Sequence, residues 1–517
     1  MTGEEVVACV DVGTTATKVA LMRRDGAVAA SAASRAYPTI TGPGGRVEQD
    51  PEQWWAATGE ALRACSPQRF RVEALVLGGQ MQDLIAVGVP AGEGERAGGS
   101  HEAPDDGSGT QERWGVLRPA ILYADVRATQ EAERVRAVVG ARRWHQLTGN
   151  LQDASSLPAK LLWLQRHEPE TYRRARVIFL GAHDYVTWRA CGAVVTDPTT
   201  ASTTGLLDLA TRRWALDLLE AVGLRVDFLP RLAPPSAVVG ALSREAGRHL
   251  GLPAGTPVVH GAGDAATTAL GAGAGDPGPS FLYLGTSGWL ARTSGGKRAD
   301  PDTGVFTLAH PERGRTLLIG PMLTAAGNLE WIRRALGGPS YDELSELAGS
   351  APPGSGGVVY LPYPAGERSP FRNAGARASF VGIHLATERA HLVRAVMEGV
   401  AFAFRTIAEA MGEPARSAEP LLVAGGGARS EVWCGIVAGV MGRPVHRLAR
   451  AEDVGARGGA ILGGIALGWF NSYRPAPGFF PVDRVFEPGA DTPEYESSYR
   501  RFREVHPYLE TKRGSMQ

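Results

Sequence analysis

Residues 6–22 read VVACVDVGTTATKVALM, a stretch with the pattern of a β-hairpin. An apolar run leads into a short polar turn, DVGTT at 11–15, and a second, largely apolar run follows it. Gly13 lets the turn backbone approach a ligand closely, and the turn N–H groups and threonine hydroxyls suit an anion. A Gly-Thr turn alone is more often part of a hairpin that binds nothing, but here Asp11 lies directly beside it.

The same pattern returns at residues 281–291, FLYLGTSGWLA, where Gly285 stands 272 positions after Gly13. This distance is about half of the chain. The repeat of a strand, a Gly-Thr turn and a second strand predicts two similar α/β domains, each of which opens its sheet with a hairpin. Two such turns that face a shared cleft would hold a polyphosphate between them.

The rest of the chain alternates helical and strand-like segments, as α/β domains do. Asp50 and Pro51 are a favoured cap and a favoured first residue for a helix. Glycines directly follow several strands, which predicts that these strands end in tight turns. The predicted strands are 74–77, 177–180, 257–260 and 421–424, and the predicted helices are 52–63, 157–166, 265–270 and one that begins near residue 430.

The charge balance and the apolar pattern exclude several classes of protein. Of the 517 residues, 54 are Lys or Arg and 54 are Asp or Glu, so no basic excess is present to bind nucleic acid. No apolar run reaches the roughly 18 residues that a membrane span needs. The acidic start of the chain is wrong for a signal peptide. The four cysteines are far apart, as in a reduced cytoplasmic protein.

Two further features concern metals and loops. The 11 histidines include no H-x-x-x-H pair, which argues against a zinc site. Residues 91–113 are rich in Gly, Glu, Ser, Asp and Pro and contain no large apolar side chain. This composition predicts a flexible surface insertion.

Ten segments match, in order along the chain, the motifs of one family. They lie at 11–15, 48–55, 79–81, 118–122, 147–150, 159–163, 263–264, 284–288, 366–370 and 425–430. On these segments the sequence resembles the FGGY carbohydrate kinases and, within that family, the xylulokinases. The resemblance covers nearly the whole chain apart from the insertion at 91–113.

The resemblance implies an α/β fold with two actin-like, ribonuclease H-like ATPase domains of the hexokinase/Hsp70/actin superfamily around a central cleft. Residues 1–252 would form an N-terminal FGGY domain that binds the sugar. Residues 253–517 would form a C-terminal FGGY domain that binds the nucleotide. The implied activity is transfer of the γ-phosphate of ATP to a hydroxyl of a small sugar. From the composition we expect a cytoplasmic protein that binds neither nucleic acid nor membrane, and the oligomeric state stays open, with a homodimer as one alternative.

In this resemblance Asp264 matches the catalytic base. A carboxylate there accepts the proton of the sugar hydroxyl as it attacks the γ-phosphate, and such a base contributes about 10²- to 10⁴-fold. The residues alone leave open that Asp264 only caps the following helix. Asp11 matches an acidic residue near Mg²⁺ and the β- and γ-phosphates. Asp11 and Asp264 are therefore the implied ligands of Mg²⁺, which needs only one or two carboxylates because it keeps several waters.

The implied contacts to ATP come from three glycine-containing segments. Residues 425–427 resemble the adenosine loop, for which the alternative is an ordinary strand-to-helix turn. Lys18 would reach the phosphates, for which the alternative is a solvated lysine on a strand. The full set is Gly13, Thr14, Thr15, Lys18, Gly285, Thr286, Ser287, Gly425, Gly426, Gly427 and Ser430.

The implied sugar contacts are Met81, Gln82, Tyr123 and Asp125, together with the base Asp264. Met81, Gln82 and Tyr123 occupy the family's sugar-contact positions. Asp125 follows Tyr123 on the same element.

Three positions depart from the xylulokinase pattern, all near the implied sugar pocket. Gln82 and Asp83 stand where the family has His-Gly, Ala124 stands where it has Asn, and Ala265 replaces the Asn that often follows the base. Changing a hydrogen-bonding residue in such a pocket strongly shifts which sugar the enzyme prefers. These departures put the identity of the sugar in question but not the sugar-kinase activity. The resemblance implies a ketopentose such as xylulose. The alternatives are a kinase for another sugar or polyol, such as ribulose or a glycerol-like polyol, and a catalytically impaired ATP-binding sensor of the same fold.

Overall fold

The computed structural model describes residues 3–90, 101–102, 113–414, 416–475, 477–489 and 491–514. Residue contacts divide the chain into two units. The first unit consists of Met1–Gly275, Thr307–Thr316 and Asp453–Phe479, and the second of Asp276–Phe306, Leu317–Glu452 and Phe480–Gln517. The insertion predicted at 91–113 lies outside the described residues, except for 101–102 and 113.

In this division the boundary predicted between residues 252 and 253 falls inside the first unit. The strand Pro257–Val259 pairs with the strand Arg71–Gly79. The helix Asp264–Ala272 packs against the helix Val454–Ala466, which returns from much later in the chain. The division of binding roles between an N-terminal and a C-terminal domain stays a prediction.

The first unit contains both long sheet strands and short paired segments. Its strands are Glu5–Val12, Thr17–Met22, Val28–Ala33, Ile40–Gly42, Arg46–Gln49, Arg71–Gly79, Met81–Gly88, His101–Glu102, Arg113–Val116, Ala120–Ile121, Ala175–Gly181, Val195–Thr196, Leu207–Asp208, Arg213–Trp214, Arg231–Leu232, Val238–Ala241 and Pro257–Val259. Its α-helices are Pro51–Ala64, Thr129–Val139, Ala141–Thr148, Leu157–His167, Pro169–Arg174, Ala182–Cys191, Pro198–Thr203, Leu216–Ala221, Arg244–Leu250, Asp264–Ala272 and Val454–Ala466.

A six-stranded mixed sheet organises the first unit. Its order is Val238–Ala241, Pro257–Val259, Arg71–Gly79, Glu5–Val12, Thr17–Met22 and Val28–Ala33. The predicted hairpin is confirmed, because Glu5–Val12 pairs antiparallel with Thr17–Met22. On its other side Glu5–Val12 runs parallel to Arg71–Gly79. This central position buries Glu5–Val12 along most of its length, which accounts for its nearly continuous apolar sequence.

The second unit has its own strands and helices. Its strands are Ser280–Leu284, Gly288–Ser294, Thr316–Met322, Val359–Leu361, Ser379–Val381, Leu421–Ala424, Val445–Leu448 and Val482–Phe486. The strand Phe306–Ala309 lies where the chain passes from the second unit to the first. The α-helices of the second unit are Gly327–Ala335, Tyr341–Ser350, Arg389–Ala410, Glu431–Met441 and Thr492–Gly514.

The strand pairing of the first unit recurs in the second. Ser280–Leu284 pairs antiparallel with Gly288–Ser294 and parallel with Leu421–Ala424. Leu421–Ala424 is in turn parallel to Val445–Leu448. A central strand again has its hairpin partner on one side and a distant parallel strand on the other. The predicted pair of similar α/β domains is therefore confirmed in the pairing of the strands.

Helix caps and buried aromatic rings follow from the sequence pattern. The Asp50 carboxylate accepts a hydrogen bond from the backbone N–H of Glu52 at 3.0 Å, and Pro51 is the first residue of the helix Pro51–Ala64, as predicted. Such a cap contributes roughly 1 kcal/mol. Trp54 on this helix is fully buried, and its Nε1 donates a hydrogen bond to Gln49 Oε1 at 2.9 Å. Within the described residues, no helix is long and apolar enough to cross a membrane.

Glu367, in the second unit, is a buried carboxylate with backbone partners. The backbone N–H groups of Leu323 and Arg368 donate to its Oε1 at 3.0 and 2.8 Å. Burial raises the pKa of Glu367 from 4.5 to about 7, although these hydrogen bonds oppose the shift. The folded protein therefore holds a proton near neutral pH that the unfolded chain has released.

We expect Glu367→Gln to stabilise the protein at pH 8 but to have no such effect at pH 4.5 or below. As the pH rises from 4.5 towards 7, wild-type stability falls, because the folded state binds more protons than the unfolded state. The amide keeps an acceptor oxygen and avoids this cost, which is at most about 3 kcal/mol for a shift of this size. Urea unfolding at both pH values measures the effect, with the exposed Glu346→Gln as control. A variant less stable than wild type at pH 8 would contradict the expectation.

Candidate active site

Parallel strands of the first unit end side by side, and their carboxyl ends carry the predicted catalytic residues. Val12 pairs with Gly79, and Gly79 forms a bridge with Gly263. Asp11 precedes the first of these contacts and Asp264 follows the last. In α/β sheets, ligands bind at the carboxyl ends of the strands. The structure therefore brings the two predicted carboxylates to one edge of one sheet.

Asp264 is the first residue of the helix Asp264–Ala272, and Gly263 occupies the cap position before it. Helix capping therefore does not account for Asp264. Its side chain remains accessible to solvent. The surrounding protein nevertheless displaces water and raises its pKa to about 7, and the negative charge of Asp11 contributes in the same direction. A carboxyl group with a pKa near neutrality is suited to accept a proton at that pH.

Asp11 has one carboxylate oxygen that receives no hydrogen bond from the described residues. Its Oδ1 is buried and has no hydrogen-bond partner in the described part of the chain. Burial raises the pKa of Asp11, whereas the charge of Lys18, which faces it across the hairpin, opposes the shift. Gly455, in the first turn of the helix Val454–Ala466, lies beside Asp11, since a Cβ there would be 3.6 Å from Oδ2. The positive end of that helix dipole favours negative charge nearby.

The turn at 13–15 is held by its carbonyl oxygens. The Tyr37 hydroxyl donates to the Gly13 oxygen, and the Tyr37 N–H donates to the Thr15 oxygen at 3.1 Å. Gln49 Nε2 donates to the Thr14 oxygen at 2.7 Å. In a trans peptide the C=O and N–H point in opposite directions. Anchoring the carbonyl groups inward therefore turns the N–H groups outward, as an anion site requires.

Two of the predicted sugar contacts lie near these elements. The Tyr123 side chain is 38% exposed, and its hydroxyl lies 3.4 Å from the Thr14 hydroxyl. Met81 packs against Gly263, because a Cβ on Gly263 would fall 1.8 Å from Met81 Sδ. A larger residue directly before Asp264 would force the Met81 side chain to move. Met81, Tyr123 and the turn at 13–15 are thus grouped at the same edge of the sheet as the carboxylates.

Gln82 is held in an unusual conformation beside two buried ionisable side chains, Asp83 and Lys160. Its φ is 67°, in the left-handed region, and its side-chain amide donates to Ser155 Oγ at 3.1 Å. Lys160 Nζ donates to the Gln82 backbone oxygen at 2.9 Å. Asp83, fully buried, accepts from the Tyr123 N–H at 3.0 Å. Burial raises the pKa of Asp83 and lowers that of Lys160, and each group's charge opposes the other's shift.

Asp83 and Lys160 were not among the predicted site residues. Their backbone contacts link Gln82 and Tyr123, so they position two of the implied sugar contacts. One signal was present in the sequence, because Lys160 is one of very few lysines and lies within a family motif.

Asp125 is engaged by the protein itself. Its Oδ2 accepts from the Val47 N–H at 2.6 Å and lies 2.5 Å from a guanidinium nitrogen of Arg127. Arg127 also pairs with Glu48 at 2.7 Å. The Asp125 side chain is fully buried. The structure therefore gives Asp125 a role in shaping the loop after Tyr123 and leaves its carboxylate no free oxygen comparable to that of Asp11.

The second unit contains a pocket of about 890 Å³. This volume is in the range of sites for small ligands and cofactors. Five of the residues implied to contact ATP line it, namely Gly285, Thr286, Gly426, Gly427 and Ser430. A Cβ on Gly426 would meet nothing within 4 Å, so its α-carbon faces open space. Ser287 and Gly425 are not part of the lining.

The turn that contains Gly285 is anchored like the turn at 13–15. The N–H of Ala326 donates to the Gly285 oxygen at 2.8 Å. The N–H groups of Ala325 and Gly327 donate to the Thr286 oxygen at 2.9 and 3.0 Å. The carbonyl groups again point into the unit and the N–H groups away from these anchors. The repeated sequence pattern therefore corresponds to a repeated mode of anchoring.

The glycine segment 425–427 and Ser430 have different local roles. Gly425 has φ 104°, and a Cβ there would lie 2.6 Å from the Leu284 oxygen, so this position requires glycine. Ser430 caps the helix Glu431–Met441, and its Oγ accepts from the Trp433 N–H at 3.1 Å. A cap and a nucleotide contact are compatible, since N–H groups at a helix start can also face an anion.

The pocket has further lining residues that the sequence analysis did not identify. Tyr341 is 57% exposed, and its hydroxyl donates to Glu330 Oε2 at 2.8 Å. An accessible aromatic ring in such a pocket is suited to contact a base. The segment around Tyr341 carries no motif, and its proximity to Gly426 depends on tertiary packing.

Family models match most of the chain. The model of the N-terminal domain of the FGGY family of carbohydrate kinases matches residues 6–89 and 110–271, and that of the C-terminal domain matches residues 282–467. The chain belongs to the FGGY family of carbohydrate kinases. As an FGGY carbohydrate kinase it is an ATP-dependent phosphotransferase with an alcohol group as acceptor. The implied family and the actin-like ATPase fold are both confirmed.

Three relatives illustrate the similarity of this FGGY kinase to known proteins. The xylulose kinase of Escherichia coli (strain K12) is 33% identical over 506 residues, which cover 97% of this chain and 98% of that protein. The crystal structure of ligand-bound xylulose kinase from Lactobacillus acidophilus has a TM-score of 0.88 at 26% identity and covers 99% of this chain and 100% of that one. A gluconate kinase structure from the same organism has the same TM-score, identity and coverage.

Proposed function

We propose that this FGGY kinase transfers the γ-phosphate of ATP to a hydroxyl of a ketopentose such as xylulose, with Asp264 as general base. The observation that carries the proposal is the position of Asp264 beside Asp11 at the strand ends, with a pKa of about 7. The curated relatives at 33% and 34% identity are named xylulose kinases, which supports this sugar class.

In the proposed reaction Asp264 takes the proton of the attacking hydroxyl. The hydroxyl oxygen then attacks the γ-phosphorus, the bond from phosphorus to the β–γ bridging oxygen breaks, and ADP leaves. Phosphoryl transfer depends mainly on positioning and on electrostatic stabilisation. The outward N–H groups of the turn at 13–15 and the ammonium of Lys18 are proposed to contact the phosphates. Lys18 is exposed and lies opposite Asp11 in the hairpin.

The residues present fit a Mg²⁺ ion. Asp11 offers a buried oxygen without a partner among the described residues, and Asp264 adds a second carboxylate at the same sheet edge. Mg²⁺ prefers oxygen ligands and uses one or two carboxylates beside its waters. Asp11 and Asp264 would therefore hold it. When bound, the ion would neutralise charge on the β- and γ-phosphates.

The nucleotide is proposed to occupy the pocket of the second unit. Gly426 and Gly427 line it without side chains, so the adenosine can lie against the backbone. The anchored turn with Gly285 and Thr286 lines the same pocket, and Ser287 follows it. Gly425 is proposed to shape this loop, since its positive φ excludes other residues.

The sugar is proposed to contact Met81, Gln82 and Tyr123, with Asp125 acting through the loop that it stabilises. Gln82 is the residue best placed to set the sugar specificity. Its amide can donate and accept, its backbone is held by Lys160, and it departs from the family's histidine.

A coupled assay of ADP release with ATP, Mg²⁺ and a panel of pentuloses, hexuloses and polyols tests the proposed function. We expect xylulose to give the highest kcat/KM. A higher kcat/KM for ribulose, glycerol or gluconate would show that xylulose is not the preferred substrate. An absence of turnover with every member of the panel, while ATP still binds, would support the alternative of an ATP-binding sensor and contradict the proposal.

We expect Gln82→His to shift the sugar preference towards xylulose. The left-handed backbone at this position tolerates histidine better than most side chains. Changing one hydrogen-bonding group in a sugar pocket is expected to alter the ratio of kcat/KM between xylulose and the next best sugar by about tenfold or more. The same panel measures this ratio, and Gln165→His, on the helix Leu157–His167, is the control. An unchanged ratio would show that Gln82 does not set specificity.

A further inference from the structure

Four metal-ligating side chains meet inside the first unit, separate from the predicted magnesium ligands. They are His183, Asp184, Asp197 and His260, and all four are fully buried. One potential ligand atom from each lies within 4.8 Å of the others. The two histidines are 77 positions apart in the sequence, so no spacing motif reveals the cluster. The lack of an H-x-x-x-H pair therefore does not exclude a metal site of the zinc type in the folded protein.

The distances within the cluster match the edges of a coordination tetrahedron. His183 Nε2 lies 3.3 Å from Asp184 Oδ1 and 3.2 Å from Asp197 Oδ2. His260 Nε2 lies 3.3 Å from Asp184 Oδ1. Ligand atoms placed about 2.0–2.1 Å from a tetrahedral Zn²⁺ are roughly 3.3–3.4 Å apart. Three observed separations thus have the length that one shared ion would impose.

The other atoms of three of these side chains are occupied in the way that metal ligands usually are, whereas His183 Nδ1 has no hydrogen-bond partner among the described residues. Asp184 Oδ2 accepts two backbone N–H groups at 3.1 and 3.2 Å. Asp197 Oδ1 accepts two more at 2.8 and 3.2 Å. His260 Nδ1 lies 3.3 Å from the hydroxyl of Thr187. These contacts fix the carboxylates and the His260 ring so that their remaining ligand atoms point to one another.

Hydrogen bonding alone leaves part of the cluster unsatisfied. Asp184 Oδ1 and His260 Nε2 are buried and have no hydrogen-bond partner among the described residues, although they lie close together. Buried polar atoms nearly always have a partner. A cation bound by both atoms would satisfy both, because a neutral imidazole nitrogen and a carboxylate oxygen can each offer it a lone pair.

We propose that His183, Asp184, Asp197 and His260 bind one divalent transition-metal ion of the Zn²⁺ class. Two imidazole nitrogens and two carboxylate oxygens suit such an ion, whereas Mg²⁺ prefers oxygen ligands alone. Four protein ligands without an open position define a structural site. The ion would join the helix Ala182–Cys191 to the loop that leads from His260 to Asp264. It would thereby fix the loop that carries the proposed base.

Metal analysis of the purified full-length chain tests this proposal. Protein from zinc-supplemented cultures is passed over a chelating resin, and its metal content is measured by mass spectrometry. We expect about one equivalent of zinc per chain to remain. Protein from cobalt-supplemented cultures should show the strong visible absorption of tetrahedral Co²⁺. Folded wild-type protein with less than about one tenth of an equivalent of zinc and no such absorption would overturn the proposal.

Substitutions of the cluster residues test whether these side chains bind the metal. His260→Ala and Asp197→Asn should each lower the retained zinc at least tenfold. The matched control His310→Ala removes a histidine that is also buried in the first unit but lies outside the cluster, and it should retain the wild-type zinc content. Retention of full zinc by folded His260→Ala or Asp197→Asn would contradict the assignment. The measurement on wild-type protein decides the proposal even where a variant does not fold.

Discussion

Asp264→Asn is expected to lower kcat/KM for sugar phosphorylation by about 10²- to 10⁴-fold while leaving the Kd for ATP within about twofold of wild type. Asparagine keeps the size of the side chain and its hydrogen-bonding capacity but cannot accept the proton of the attacking hydroxyl. The nucleotide pocket of the second unit includes neither this residue nor its neighbours in sequence. The loss should therefore appear in the chemical step.

Steady-state kinetics with xylulose and calorimetric titration with ATP measure the two quantities separately. Asp217→Asn is the matched control, because Asp217 also lies in the first turn of a helix of the first unit and is also exposed, but it pairs with Arg143 at the surface. The control should retain wild-type kinetics. Turnover by Asp264→Asn at the wild-type rate would show that Asp264 is not the general base.

Gly426→Leu is expected to weaken ATP binding by about tenfold or more without unfolding the protein, which corresponds to at least about 1.4 kcal/mol. A Cβ at Gly426 meets nothing within 4 Å, and the position lines the pocket, so the new side chain would fill space that the nucleotide needs. The backbone of Gly426 is not in the left-handed region, and hence leucine causes no strain there.

Gly435→Leu provides a matched control for this variant. Gly435 also lies in the second unit and has no positive φ, and a Cβ there would likewise meet nothing within 4 Å, but it does not line the pocket. Its ATP affinity should remain that of wild type, with a similar melting temperature for both variants. Unchanged ATP binding by Gly426→Leu would show that the nucleotide occupies another place.

Local patterns in the sequence predicted much of the fold. The strands at 74–77 and 177–180 were expected within the observed Arg71–Gly79 and Ala175–Gly181, and the helix predicted at 52–63 is observed as Pro51–Ala64. In each case apolar runs, caps and glycines determine the element locally. The duplicated hairpin likewise predicted two similar domains, because the strand and turn pattern recurs intact.

Features that depend on distant segments could not be predicted in this way. The helix Val454–Ala466 belongs to the first unit although the segment directly before it, Leu317–Glu452, belongs to the second. No signal within the helix shows where it will pack. Similarly, the surroundings of Asp125 depend on the strand that contains Val47, and those of Tyr341 depend on the loop at Gly426.

The residues of the candidate site can also be divided into those that the sequence identified and those that only the structure revealed. The resemblance named Asp11 and Asp264, and the sheet brings them together because Asp11 lies at the end of one parallel strand and Asp264 follows another. One strand, Arg71–Gly79, lies between these two. The hydrogen bond from Lys160 to the Gln82 backbone could be found only in the structure, because the two residues are 78 positions apart in the sequence. The cluster around His183 and His260 also required it, for the same reason.

The most direct test of the proposed reaction is ³¹P NMR of a mixture of the wild-type protein, ATP, Mg²⁺ and xylulose. We expect a sugar phosphomonoester and ADP to appear in equal amounts, and both to form at least about a hundredfold more slowly when Asp264→Asn replaces the wild type under the same conditions. Formation of ADP and free phosphate without a phosphomonoester, or no loss of ATP although the nucleotide binds, would contradict the proposed reaction.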